Sequence, residues 1–75
     1  GVNPVLRGQL ADILKNLKEQ GKTILLIEHD MNFVLNLCDK IIVMDHGEEI
    51  AIGPPKDIKT NPKVIEAYLG EKIKI

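Results

Sequence analysis

Tryptophan is absent from this 75-residue chain, and tyrosine and phenylalanine occur once each. Stacking platforms for nucleic-acid bases are therefore all but missing. Neither sign of charge prevails: ten basic against eleven acidic residues leave a formal net charge of -1. No global field recruits nucleic acid or an anionic membrane. The single Cys38 excludes an internal disulfide framework and a multi-cysteine zinc site. It fits a reducing compartment, and its place in an apolar helical pattern favours packing over nucleophilic reactivity. No apolar run approaches the ~18 residues of a membrane span, and the opening residues lack the basic-then-apolar pattern of a secretory signal. A phosphate-cradling glycine loop ending in Gly-Lys-Ser/Thr, a G-x-S-x-G elbow and an H-E-x-x-H pair are likewise missing.

What is present is an ordinary globular composition. With 44% hydrophobic and 28% charged residues the chain does not read as disordered, and its length allows at most one small, marginally stable domain. It opens on Gly1-Val2-Asn3-Pro4 rather than on Met, which reads as a loop entering a helix and as a fragment whose upstream part is missing. Asn3 as N-cap and Pro4 at the first helical position start that helix. Leu6, Leu10, Ile13, Leu14 and Leu17 share one face, with Arg7, Asp12, Lys15, Lys18 and Glu19 largely opposite, and Gly21 ends it. Gly8 inside the helix costs about 1 kcal/mol relative to Ala; close approach to another backbone is one reason to keep it.

The β-compatible run Thr23-Ile24-Leu25-Leu26-Ile27 leads straight into Glu28-His29-Asp30. A continuous apolar run of this length predicts a strand over about 22–27, buried on both faces as in parallel sheets. Asp30 caps a short helix that turns Met31, Val34, Leu35 and Cys38 inward, and Ile41-Ile42-Val43-Met44 is a second apolar strand. Strand, helix, strand is a parallel βαβ unit with a right-handed crossover, against which the first helix should pack. Asp45-His46-Gly47-Glu48 is a tight turn and residues 49–52 an antiparallel hairpin arm, stopped by Gly53-Pro54-Pro55. A short helical turn over 56–59 follows. Asn61-Pro62 then caps a last helix with Val64, Ile65, Tyr68 and Leu69 on one face and Gly70 at its end, and the tail over 71–75 is expected to fray. The fold class is α/β: a βαβ unit plus an antiparallel hairpin arm and C-terminal helices, forming one unit over residues 1–75.

Chemistry centres on His29, because ligands of open α/β sheets sit beyond the carboxyl ends of the strands. A metal site from His29, His46 and neighbouring carboxylates meets an objection. Metal ligands must converge, whereas neighbours along an extended segment point to opposite faces, and His46 is the natural middle of a surface turn. No metal ligand is assigned. Two readings of His29 stay open on pattern alone: a hydrogen-bonding or proton-handling residue facing a ligand, or a solvated histidine at a strand end beside a capping aspartate. Lys56, Asp57 and Lys59 read as a solvated face.

Four stretches, in order, resemble the C-terminal part of the ATP-binding subunit of ATP-binding cassette (ABC) transporters, the branched-chain amino-acid importer type in particular. Gly1-Val2-Asn3-Pro4 resembles the D-loop, and Thr23 through Met31, with Ile-Glu-His-Asp-Met, the strand leading into the H-loop or switch histidine. Leu37 through Gly47 is similar to the following strand and turn, and Asn61 through Gly70 to the terminal helix of branched-chain amino-acid members. The resemblance implies a fragment of the P-loop NTPase fold and, for the complete subunit, ATP hydrolysis that drives import. His29 would contact the ATP γ-phosphate. Asn3, where many members carry Asp, would lie at the interface of two ATP-binding subunits, and Pro54 stands where a Thr or Ser cap is common. Walker A, Q-loop, signature and Walker B would all lie upstream of Gly1. ATP and Mg²⁺ are then cofactors of the complete subunit and none is expected for the fragment, which should be inactive. The implied partners are a second ATP-binding subunit and membrane permease subunits, at the cytoplasmic face of the membrane. An unpaired apolar strand edge would favour self-association of the fragment. The alternative reading is a non-enzymatic α/β protein-interaction module.

Overall fold

The structure, a computed structural model, describes residues 3–69, Leu69 by its backbone alone. Gly1 and Val2 of the entry loop, the helix stop at Gly70 and the tail over 71–75 lie outside the described residues. Helix α1 spans Pro4–Glu19. The Asn3 side chain accepts a hydrogen bond from the Val5 N–H at 2.8 Å, satisfying one of the amides that a helix start leaves without partners. Gly21, at φ +89°, supplies the left-handed residue that ends the helix. Helix α2 spans Met31–Leu37 and is capped by Asp30, whose carboxylate accepts from the Phe33 N–H at 3.2 Å.

Strands β1 (Ile41–Asp45) and β2 (Glu48–Gly53) form an antiparallel hairpin. His46 and Gly47 take positive φ of 50° and 78°, as the two central residues of a type I′ turn must. Register runs Val43 opposite Ala51 and then Met44 opposite Glu49, so Ile50 is the extra residue of a bulge. Helix α3 spans Pro55–Ile58, without a side-chain cap at Pro54. Helix α4 spans Pro62–Val64, capped by Asn61, and continues as a π-helical turn over Ile65–Leu69. The core is Ile41, Val43, Ala51, Ile58 and Val64. It sits between one face of the hairpin and the two C-terminal helices, with Met31, Val34 and Leu35 of α2 packed on its margin. The Tyr68 hydroxyl donates to the Met44 carbonyl and ties the last turn to β1. Cys38, at the end of α2, is half-buried against the same core.

The parallel βαβ unit does not form. Residues 22–28 make no strand, and among the described residues β1 pairs only with β2. Leu25 and Ile27 are 88% and 89% exposed, and an open groove of about 790 Å³ lies between this segment and β1. The physical reason is the cost of closure. The hairpin closes over two residues, whereas the parallel pair must close a crossover of about a dozen residues for a slightly weaker ladder. A strand meant for burial on both faces also needs neighbours, and two strands alone are marginal. The same shortage corrects two further expectations. Helix α1 has no buried residue: Leu6, Leu10 and Ile13 stay exposed, because the strand they would cover is missing. β1 is buried on one face only, leaving Ile42 and Met44 exposed with Ile52 of β2. Nor does a close backbone explain Gly8, since a Cβ there would meet no atom within 4 Å.

Candidate functional site

The loop over 28–30 joins the exposed apolar segment to α2, and Glu28 organises it. One carboxylate oxygen, Oε1, accepts from the backbone N–H of His29 at 3.0 Å and of Asp30 at 3.3 Å. The other, Oε2, faces Arg7 Nη1 at 3.2 Å. Arg7 reaches down from α1 with its Nε 3.8 Å from Asp30 Oδ2. Its guanidinium carbon stands 4.9 Å from the centroid of the Phe33 ring, within range of a cation–π contact. Arg7 and Glu28 are partly buried, with side chains 21% and 16% exposed. The His29 amide, the Arg7 guanidinium and the Asp30 amide, in that order, hold the Glu28 carboxyl below the usual glutamate range against an opposing desolvation.

Among the described residues the His29 side chain makes no hydrogen bond. Its imidazole is 95% exposed, and Nε2 lies 3.8 Å from Glu28 Oε1, too far for a hydrogen bond. The backbone is therefore held by Glu28 while the imidazole stands in the open. Such a group can donate an N–H to an anionic oxygen brought to it. Asn3 is exposed at the start of α1, its side-chain oxygen committed to the cap. Its carbonyl accepts from the Arg7 N–H at 3.0 Å, so one helical turn separates Asn3 from the residue that grips the His29 loop. His46 sits in the hairpin turn with Nδ1 3.2 Å from Asp45 Oδ1; among the described residues no hydrogen bond or ion pair joins it to His29. The Cys38 thiol is pushed up, first by desolvation and then by the Asp39 charge, which keeps it protonated and suits a packing role.

Sequence pattern singled out His29, and the family resemblance Asn3, but both passed over Arg7 and Phe33. Arg7 falls on the polar face of α1, where the ordinary reading is solvation, and its partner lies 21 residues away. A carboxylate directly before His29, Glu28, is the local signal that something holds the loop.

Comparison with known proteins bears out the sequence resemblance to ABC transporter ATP-binding subunits. The similarity is to the branched-chain amino-acid type. The family described as branched-chain amino acid ATP-binding cassette transporter matches residues 48–73. Over 72 residues, 95% of the chain, the sequence is 44% identical to the high-affinity branched-chain amino acid transport ATP-binding protein LivG of Salmonella typhimurium. It is 46% identical over 70 residues, 93% of the chain, to the probable LivG of Archaeoglobus fulgidus. A methionine import ATP-binding protein, MetN 1 of Bacillus cereus, is 41% identical over 63 residues, 83% of the chain. The chain spans 28%, 27% and 18% of these three proteins, respectively.

Proposed function

We propose that this chain is the C-terminal part of the ATP-binding subunit of an ABC importer for branched-chain amino acids, and that the complete subunit hydrolyses ATP. The observation that carries the reading is the His29 loop: a fully presented imidazole on a backbone fixed by Glu28. Phosphoryl transfer leaves little covalent work to the protein and rests on positioned donors aimed at charge on the transferring group. An exposed imidazole N–H meets that need for one γ-phosphate oxygen. His29 is thus a γ-phosphate contact that helps to hold the attacking water in line.

The neighbouring carboxylates do not suit Mg²⁺. Glu28 is committed to two amides and Arg7, and Asp30 to the α2 cap. The phosphate cradle and metal ligands belong to the remainder of the subunit. In that reading residues 1–75 hold the D-loop, the H-loop and the terminal helices of a P-loop NTPase fold, and the groove beside β1 takes strands of the parent sheet. Asn3 faces a second ATP-binding subunit across a head-to-tail pair. Its oxygen caps α1, so the side-chain NH₂ is the group left to sense the opposite ATP site. Among the described residues no helix is long and apolar enough to cross a membrane, which fits a peripheral subunit docked on permease subunits at the cytoplasmic face. The methionine-import relative carries a similar segment, in keeping with solute choice residing in other subunits.

The test is His29→Ala in the complete subunit. Loss of one aimed donor lowers turnover by about 10²–10³-fold, while an exposed side chain leaves the melting temperature nearly unchanged. Turnover within twofold of the parent would remove His29 from the mechanism.

A further inference from the structure

We infer that Arg7 and Glu28 form a positioning pair that sets the aim of His29. The inference rests on the γ-phosphate role given to His29 above. Isolated surface ion pairs are worth little, and a single contact at 3.2 Å would by itself invite no function. Three features separate this pair from that class. Its side chains are mostly covered, at 21% and 16% exposure, beside an imidazole at 95%. Glu28 divides its carboxylate, with one oxygen on Arg7 and the other on the amides of His29 and Asp30. Arg7 is in turn fixed in orientation, its guanidinium over Phe33 and its Nε toward Asp30.

Glu28 can hold two successive amides with one oxygen only while its own rotamer is fixed, and Arg7 is the group that fixes it. Without Arg7 the carboxylate is free to turn to solvent and the His29 backbone loses its support. Among the described residues the imidazole makes no hydrogen bond of its own that could restore its aim. Catalytic groups tolerate little error, since a displacement of about 1 Å can cost about a hundredfold in rate. The pair also joins α1 to the loop. Arg7 lies one turn from Asn3, so a chain of contacts links the start of α1 to the His29 backbone. Neither residue touches the substrate; both act through His29.

The experiment measures single-turnover and steady-state ATP hydrolysis by the complete subunit carrying Arg7→Ala, Glu28→Ala, His29→Ala, and each of the first two combined with His29→Ala. Positioning predicts a kcat lowered about tenfold by Arg7→Ala or Glu28→Ala, with KM for ATP within twofold. It also predicts no further loss when either is added to His29→Ala, because the effect runs through the imidazole. Should Arg7→Ala fail to fold, Arg7→Lys keeps the charge but loses the planar guanidinium stacked on Phe33, and a kcat lowered about threefold at unchanged KM is expected. A kcat within twofold for Arg7→Ala, or unchanged for Arg7→Lys, overturns the pair while His29 keeps its role. An equal loss in the presence and absence of His29 overturns it too, as a purely structural effect would. Normal turnover in His29→Ala instead removes the reading on which the pair depends.

Discussion

Leu25 separates the fold of this chain from the fold proposed for the complete subunit, because the same substitution should cost different amounts in the two. Within the 75 residues Leu25 is 88% exposed, so Leu25→Ala removes almost no buried surface and should change stability by no more than about 0.5 kcal/mol. In the fold proposed for the complete subunit the run over 23–27 would become a strand between sheet neighbours and Leu25 would enter a core. Removing its three apolar carbons there loses about 0.8 kcal/mol each in transfer, and the cavity brings the total to about 2–5 kcal/mol. Ile58, 1% exposed in the C-terminal core, is the internal control: Ile58→Ala should cost about 2–5 kcal/mol in both settings. Such a loss is a large share of the roughly 4–11 kcal/mol available to a domain of this length. Urea unfolding followed by far-ultraviolet circular dichroism, on the chain and on the complete subunit, measures all four values. A Leu25→Ala cost above 2 kcal/mol in the 75-residue chain would contradict the open groove described here. A cost below 0.5 kcal/mol in the complete subunit would refute the buried strand and with it the P-loop assignment.

Gly8→Ala should stabilise α1 by up to about 1 kcal/mol, since a Cβ there meets nothing within 4 Å; a lower unfolding midpoint for the alanine variant of the chain would show that the glycine has a conformational purpose. The Glu28 carboxyl, held below its ordinary value by the His29 amide, Arg7 and the Asp30 amide, contributes stability that is complete above the unfolded pKa and lost as pH falls through the lower folded value. The gap in melting temperature between the parent and Glu28→Gln should therefore narrow as pH drops from 6 toward 3, and a gap independent of pH would contradict the linkage. Ile42, Met44 and Ile52 form an exposed apolar patch on the hairpin, and Leu25 and Ile27 a second along the groove. The chain alone should therefore self-associate, and a monomeric mass by light scattering at high concentration would count against this.

What could be read in the residues was what short-range chemistry decides. Asn3-Pro4, Asp30, Gly21 and Asn61-Pro62 each bring the donor, acceptor or backbone angle that their helix end requires, and the structure uses every one. The His46-Gly47 turn belongs in the same class, since its two positive φ angles set the hairpin whatever surrounds it. Thr23–Ile27 failed for the opposite reason. Its pattern reports an environment, burial on both faces, that this segment cannot create for itself. The bulge at Ile50 and the grip of Arg7 on Glu28 escaped because both depend on register across the fold and leave no mark on hydrophobic periodicity.

The His29 loop nevertheless holds its form without the strand that should deliver it. Its grip comes from two backbone N–H hydrogen bonds to the Glu28 carboxylate, a cap at Asp30 and an arginine on a capped helix, none of which needs a sheet. Strand and loop are thus separable: the sheet would set where the histidine stands relative to ATP, and the clamp sets how the histidine is presented. A site divided in this way can form its local part early and acquire its ligand geometry only when the rest of the subunit packs into the groove. That division also accounts for the exposure of His29 here. The chain's own side chains fix the His29 backbone, and in the proposed subunit the phosphate would be held by the remainder of the protein.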